Sequence, residues 1–146
     1  MNSLGLPKKE TEEIVVQLNV LLSNFQVYYQ NLRGLHWNIK GKRFFDLHLK
    51  FEELYNESQL NIDLIAERIL TLGGEPLHTF SDYLKHNKIE IGQSISKDVK
   101  AIELIISSLS VLLQLERSIL EQSATINDEG TNSMMSDFIA AQEKTN

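Results

Sequence analysis

The spacing of apolar residues is the feature that most constrains how this chain can fold. From Ile14 to Leu35 the apolar positions recur at alternating intervals of four and three residues, the period of one face of an α-helix. The positions are Ile14, Leu18, Leu21, Phe25, Tyr28, Leu32 and Leu35. Only two prolines occur in 146 residues, so little interrupts helices of this length. The sequence predicts a long first helix that faces the core, with Thr11 as its N-cap.

A second long helix is predicted from about Phe44 to Leu72, ending at Gly73-Gly74. Its expected core stripe is Leu47, Phe51, Leu54, Ser58, Ile62, Ile65, Ile69 and Leu72. Residues 73–93 form a long connection with a possible short helix near Ser81 to Lys85. Connections of that length usually cross from one end of a helix bundle to the other.

Two further helices are expected after this connection. The third begins at Ser94 or Ser96, and the fourth is capped by Thr131. The core positions of the third are expected to be Val99, Ile102, Ile106, Leu109, Leu113 and Leu120. The fourth has few residues left before Asn146 and is expected to be a truncated helix. The predicted architecture is an all-α four-helix bundle with a long crossover between the second and third helices.

Composition sets the class of protein. At 146 residues the chain is expected to form a single domain, 1–146, with a short tail at 1–10. It has no cysteine, which excludes disulfides and thiolate metal sites. No secretion signal or membrane-length apolar stretch is seen, so we expect a cytoplasmic protein without a membrane partner. The net charge of −6 argues against a globally basic nucleic-acid binder.

Two pairs of potential metal ligands lie on the predicted second helix. His48 with Glu52, and Asp63 with Glu67, are each spaced at i,i+4 and therefore lie on one helix face. Roughly 22 Å of helix separates the two pairs, so no single ion can contact both. An antiparallel second copy of the helix would place His48 opposite Glu67 and Glu52 opposite Asp63. Two equivalent sites would result, as an isologous interface requires.

The ligand types favour iron. Imidazole and carboxylate ligands with open positions are typical of non-haem ferrous chemistry. His36, near the end of the predicted first helix, lies beside its core face and is a further candidate. The structural alternative is a helical scaffold in which these side chains only form interface salt bridges.

Several of these residues together resemble the Dps family of mini-ferritins. The resemblance covers nearly the whole chain and is carried by Leu35-His36-Trp37-Asn38-Ile39-Lys40-Gly41, Phe44, Leu47-His48, Phe51, Tyr55, Asp63, Ala66-Glu67-Arg68, Leu72-Gly73-Gly74 and Asp128-Glu129-Gly130-Thr131. It implies a ferritin-like bundle that assembles into a hollow homododecamer. It also implies oxidation of ferrous iron, preferentially by hydrogen peroxide, at two-fold interfaces and storage of the ferric mineral inside.

The resemblance assigns roles to the candidate ligands. It implies that His36 and His48 bind iron together with Asp63 and Glu67 of the neighbouring subunit, with no organic cofactor. Glu52 is a further ligand at a position that is usually Asp in the family, so it reaches one methylene further. Trp37 matches an aromatic residue beside the centre. It either intercepts stray oxidising equivalents or simply packs at the interface.

Acids near the fourth helix match the family's three-fold pores. Asp128 and Asp137 occupy such positions, while Ser133 replaces a third acid of some members. Alternatively, Asp128 and Glu129 are acids of a turn and helix start, favoured by the helix dipole.

Two alternative readings of the sequence are less favoured. Condensation of DNA is less favoured, because the termini offer only Lys8, Lys9 and Lys144 and phosphate binding needs clustered cations. An intrachain di-iron centre is also disfavoured. Its E-x-x-H motif occurs at Glu75 to His78, but there it contains Pro76 and follows two glycines.

Overall fold

The chain folds into five helices without strands, and the computed structural model describes all of residues 1–146. The helices are α1 (Lys8–Asn38), α2 (Phe44–Thr71), α3 (Phe80–His86), α4 (Asp98–Thr125) and α5 (Glu129–Thr145). Helix α1 packs against α2, α3 and α4, and α4 packs against α5. The four long helices form the bundle, and the short α3 lies within the crossover. No helix is long and apolar enough to span a membrane.

Three asparagines on α1 hold the crossover along the whole bundle. The Asn19 side chain accepts a hydrogen bond from the Leu77 backbone N–H (2.9 Å). Asn24 accepts from Lys88 N–H (2.7 Å), and Asn31 accepts from Gly92 N–H (3.0 Å). The partners advance along the crossover as the asparagines advance along α1. The connection therefore runs parallel to α1 and delivers the chain to the opposite end of the bundle, as predicted.

The predicted cores of the first two long helices are confirmed. Every apolar position expected for α1, and every position of the expected α2 stripe, is buried. The predicted start of the first helix was wrong. Helix α1 begins at Lys8, directly after Pro7, and not after a cap at Thr11. Proline suits the beginning of a helix since its missing N–H would be unpaired there. The Thr11 hydroxyl instead donates to the Pro7 carbonyl at 2.6 Å.

The predicted phase of the third long helix, α4, was wrong. Val99 and Ile106 are exposed, and of the six expected core positions only Leu109 is buried. Consecutive apolar residues such as Leu104-Ile105-Ile106 fit several helical phases, so apolar spacing alone could not choose between them. The observed phase buries small and polar residues that no apolar pattern marks. The buried set is Ala101, Leu104, Ile105, Ser108, Leu109, Leu112, Leu115, Glu116, Ile119 and Ser123. The helix also begins later than expected, at Asp98 after Lys97.

Asp128, and not Thr131, caps the last helix. Its carboxylate accepts from the Thr131 N–H (3.1 Å) and hydroxyl (2.6 Å) and pairs with the Arg68 guanidinium at 2.6 Å. A Cβ on Gly130 would lie 2.7 Å from that guanidinium, so a side chain here would displace Arg68 from its present position. This network attaches the α4–α5 corner to α2.

Glu116 is a buried acid in the middle of the bundle. It has no exposed surface, and its Oε2 accepts from the Gln142 amide at 2.7 Å. Its Oε1 and the Gln142 Oε1 are both buried without a hydrogen-bond partner. Burial raises the pKa of Glu116 to about 8, although the Gln142 hydrogen bond and Arg117 lower it. The side chain is therefore protonated at neutral pH.

Candidate metal centre

The turn between α1 and α2 brings His36 and His48 together. His36 lies in the last turn of α1, and His48 lies near the start of α2. The intervening turn, which contains Gly41 at a φ of 112°, reverses the chain direction. The two imidazoles stack with ring centroids 3.7 Å apart and planes 17° from parallel.

Reciprocal hydrogen bonds orient the two rings and select the tautomer of each neutral imidazole. His36 Nδ1 lies 2.7 Å from the His48 carbonyl, and His48 Nδ1 lies 2.8 Å from the His36 carbonyl. A carbonyl oxygen can only accept, so each Nδ1 carries the proton and donates. The lone pair of each neutral ring is then on Nε2. Hydrogen bonds from the other ring nitrogen to backbone carbonyls are the usual way in which proteins orient histidine ligands for metals.

Glu52 completes one half of the candidate site. Its Oε1 lies 3.7 Å from His36 Nε2, and its side chain is about half exposed. Aromatic rings frame the histidines on both sides: Phe44 stacks on His48 at 5.0 Å, and Tyr55 meets His36 edge-on at 5.4 Å. Sequence reasoning gave Tyr55 no role in the site. Its position seven residues after His48 was the available signal, since residues seven apart share a helix face.

The structure does not bring Asp63 and Glu67 to the histidines of the same chain. Both acids are exposed and lie further along α2. No group of three or more His, Cys, Asp or Glu side chains within the chain could hold a metal ion. One chain thus presents a histidine half and an acid half that are separate from each other.

Exposed apolar residues lie on α2 beside both halves. At 100° per residue, Phe45 and Leu49 fall within the same arc of about 100° as the four charged or imidazole positions, and Leu60 lies about 20° beyond its edge. Their exposed fractions are 77%, 59% and 66%. Exposed apolar residues on one helix face, with polar groups between them, are typical of a protein–protein contact. The half-sites therefore lie on a face suited to covering by another chain.

Trp37 extends this environment at the end of α1. Its ring is about half exposed, and the Arg33 guanidinium lies over it, 4.9 Å from the centroid. This cation–π contact orients the ring without burying it.

The two predicted pore acids differ in their surroundings. Asp128 is 2% exposed, forms an ion pair with Arg68 and accepts a hydrogen bond from Thr131. These contacts support the alternative that Asp128 stabilises the turn and the helix start. Asp137 is exposed on α5 and has no ion-pair partner in the chain. Asp137 is thus the one of the two whose carboxylate is free to meet a cation.

The fold and the sequence both match known proteins. The sequence model of the ferritin-like domain family matches residues 15–146 of this chain. A chain with this bundle, this crossover and this match is a ferritin-like protein.

Comparison with individual proteins shows which family within the ferritin-like class the chain resembles. The chain is 39% identical over 140 residues to the DNA protection during starvation protein of Porphyromonas gingivalis, covering 96% of this chain and 88% of that protein. The crystal structure of a Dps protein from Vibrio cholerae O1 superposes with a TM-score of 0.97 at 46% identity, covering 99% of this chain and 91% of that one. That protein is described as a member of a broad superfamily of ferritin-like diiron-carboxylate proteins. A Dps protein from Bacillus brevis superposes with a TM-score of 0.90 at 31% identity, covering 93% of this chain and 91% of that one. The chain belongs to the Dps family.

Proposed function

We propose that this protein oxidises ferrous iron at sites shared between two copies of the chain and stores the ferric product. The observation that carries the proposal is the division of ligands on one face of the bundle. His36, His48 and Glu52 lie together, whereas Asp63 and Glu67 lie apart from them on the same α2 face.

A two-fold axis across α2 would join the halves. The numbers of the facing residues sum to the same value for His48 with Glu67 and for Glu52 with Asp63, as an antiparallel pairing of identical helices requires. The same pairing sets the exposed Phe45 opposite the exposed Leu70. Apolar contacts would then surround each charged site and exclude water from it.

Each side chain has a defined task at such a site. The Nε2 lone pairs of His36 and His48 point away from their hydrogen-bonded Nδ1 atoms and are free to bind ferrous iron. The partner subunit's Asp63 and Glu67 would supply the anionic ligands that favour the ferric product. With few protein ligands, coordination positions remain for the oxidant, which we propose is preferentially hydrogen peroxide. The protein's part is to fix the geometry and leave those positions open.

Family membership supports a hollow homododecamer in the cytoplasm as the storage form. In such a shell Asp137 is the better candidate for an acid that draws cations through a pore. Removal of ferrous iron and peroxide together also removes the reagents that produce hydroxyl radicals. Such removal would account for protection of DNA, the role in the name of the Porphyromonas relative, without contact with DNA.

Ferrous oxidation kinetics with peroxide and with dioxygen test this function. The chain has four histidines, and two of them, His78 and His86, lie on the crossover and provide a matched control. We expect the double variant H36A/H48A to oxidise iron on the order of a hundredfold more slowly with peroxide, and H78A/H86A to match the parent. Equal rates for the two double variants, or no faster oxidation with peroxide than with dioxygen, would contradict the proposal.

A further inference from the structure

Four rings form a continuous row through the histidine half of the candidate site. In order they are Phe44, His48, His36 and Tyr55. Phe44 and His48 are stacked with ring centroids 5.0 Å apart and planes 23° from parallel. The two imidazoles are stacked at 3.7 Å, and Tyr55 meets His36 at 5.4 Å with the planes 81° apart. We call these four rings the aromatic row.

The backbone hydrogen bonds leave one motion of each imidazole unrestrained. A single bond from Nδ1 to a carbonyl oxygen fixes the position of that nitrogen in His36 and in His48. The ring can still tilt about the line of the bond, because the torsion between Cβ and a histidine ring has a broad energy profile. A tilt moves Nε2 and changes the direction of its lone pair. The hydrogen bonds alone therefore do not fix where the two Nε2 atoms point.

Contacts between neighbouring rings of the aromatic row restrict this tilt. His48 stacks with two rings, Phe44 and His36, so a tilt of its plane would bring it into one of them. His36 stacks with His48 and also contacts the Tyr55 ring, and only 7% of His36 is exposed. The hydrogen bond and the ring contacts together define both the position and the plane of each imidazole.

The two outer rings of the aromatic row are themselves held by the fold. Phe44 and Tyr55 are half-buried and both pack against the hydrophobic core. Tyr55 also meets Tyr29 of α1 edge-on at 6.0 Å, and the Arg33 guanidinium lies 5.3 Å from the centroid of the Tyr29 ring. Because these neighbours restrict Phe44 and Tyr55, the two rings can in turn restrict the imidazoles.

We propose that Phe44 and Tyr55 are positioning residues, which hold the planes of His48 and His36 so that both Nε2 atoms are preorganised for a divalent metal ion. The inference rests on the proposed function, in which these Nε2 atoms bind ferrous iron. Both residues act through ring contacts with the imidazoles. Loss of a neighbour that orients a metal ligand typically weakens metal binding about ten- to a hundredfold. Fixed ligand directions are also what a site needs if it is to keep open coordination positions.

Anaerobic titration of the assembled protein with Co²⁺ tests the proposal without iron oxidation. Co²⁺ follows Fe²⁺ in the affinity order of divalent ions, and its visible absorption spectrum reports the coordination geometry. F44L and Y55L each replace a ring of the aromatic row by an aliphatic side chain. F80L is the matched control for F44L, because Phe80 is exposed on α3 and lies outside the row. Y55F is the conservative control that keeps the ring, and light scattering checks the mass of each assembly.

We expect F44L and Y55L to bind Co²⁺ at least about tenfold more weakly than the parent, with a changed absorption spectrum at saturation. F80L and Y55F should match the parent in affinity and in spectrum. Parent-like binding by both leucine variants would overturn the proposal. Weaker binding with an unchanged saturated spectrum would also overturn it, because the imidazoles would then still be correctly oriented. If a leucine variant fails to assemble, F44M or Y55M replaces it, since methionine adapts to irregular gaps.

The H36A/H48A variant separates this inference from the proposed function. If H36A/H48A binds Co²⁺ like the parent, the histidines are not metal ligands and the proposed function fails. If H36A/H48A loses this binding while F44L and Y55L keep it, the histidines bind metal without help from Phe44 and Tyr55. In that case only the positioning role is wrong.

Discussion

Mixing two inactive variants is expected to restore iron oxidation. H36A/H48A keeps the acid half of each site, and D63A/E67A keeps the histidine half. Each homo-oligomer should be nearly inactive, because every two-fold site would lack one half. A mixed dimer made by mild dissociation and reassociation would contain one complete site and one site that lacks both halves. Activity should therefore return to at most half of the parent value per mixed dimer.

The rescue separates a shared site from an intrachain one. If one chain bound iron by itself, both chains of a mixed dimer would remain defective and mixing would restore nothing. Mixing H36A/H48A with H36A/H48A/D63A/E67A provides the matched control, since no pairing of these chains yields a complete site. Mass spectrometry of the mixture confirms that subunits have exchanged. Exchange without return of activity would show that the two-fold pairing is wrong.

Replacement of the buried Glu116 by Gln is expected to stabilise the bundle, and increasingly so as the pH rises. The folded state keeps a proton on Glu116 up to a pKa of about 8, whereas an ordinary glutamate releases it near 4.5. Between these values the unfolded chain binds fewer protons, so the parent loses stability with rising pH. Glutamine has no such proton to lose and retains the pairing with Gln142. The advantage of E116Q should be small near pH 5, grow to a few kcal/mol by about pH 8 and then level off.

Thermal unfolding across this pH range measures the effect. E121Q is the matched control, because Glu121 lies on the same helix but is exposed; its difference from the parent should stay small at every pH. Tyr28 faces the same buried region, and burial and the nearby Glu57 and Glu116 raise its pKa further, so it stays neutral throughout. A constant offset for E116Q, or destabilisation at every pH, would mean that Glu116 is not buried as an uncharged acid.

The sequence predicted the elements whose apolar residues allow only one helical phase. The alternation of four and three in α1 marks one face, and every residue of that face is buried. Val27, which is also buried, lies on another side of the helix and was not marked by this spacing. In α4 the neighbours Leu104, Ile105 and Ile106 allow several phases. Selection of the observed one depends on Ser108 and Glu116, whose burial requires partners on α5 and in the same helix. The contact of Glu116 with Gln142 is a tertiary contact and has no signature in the spacing.

For the candidate site, the sequence predicted the helix face on which the ligands lie but not how the histidines are held. The i,i+4 pairs on α2 placed both halves on one face and away from the core. The reciprocal Nδ1 hydrogen bonds of His36 and His48 were not predictable, because they depend on how the α1–α2 turn brings two backbone carbonyls to the rings.

Diffraction at the iron absorption edge, from crystals soaked anaerobically in ferrous iron, tests the shared site most directly. The account predicts an anomalous peak about 2 Å from His36 and His48 Nε2 of one chain, with Asp63 and Glu67 of another chain as its further ligands. Two such peaks should occur for each two-fold interface. A peak whose protein ligands all come from one chain, or no peak at His36 and His48, would contradict it.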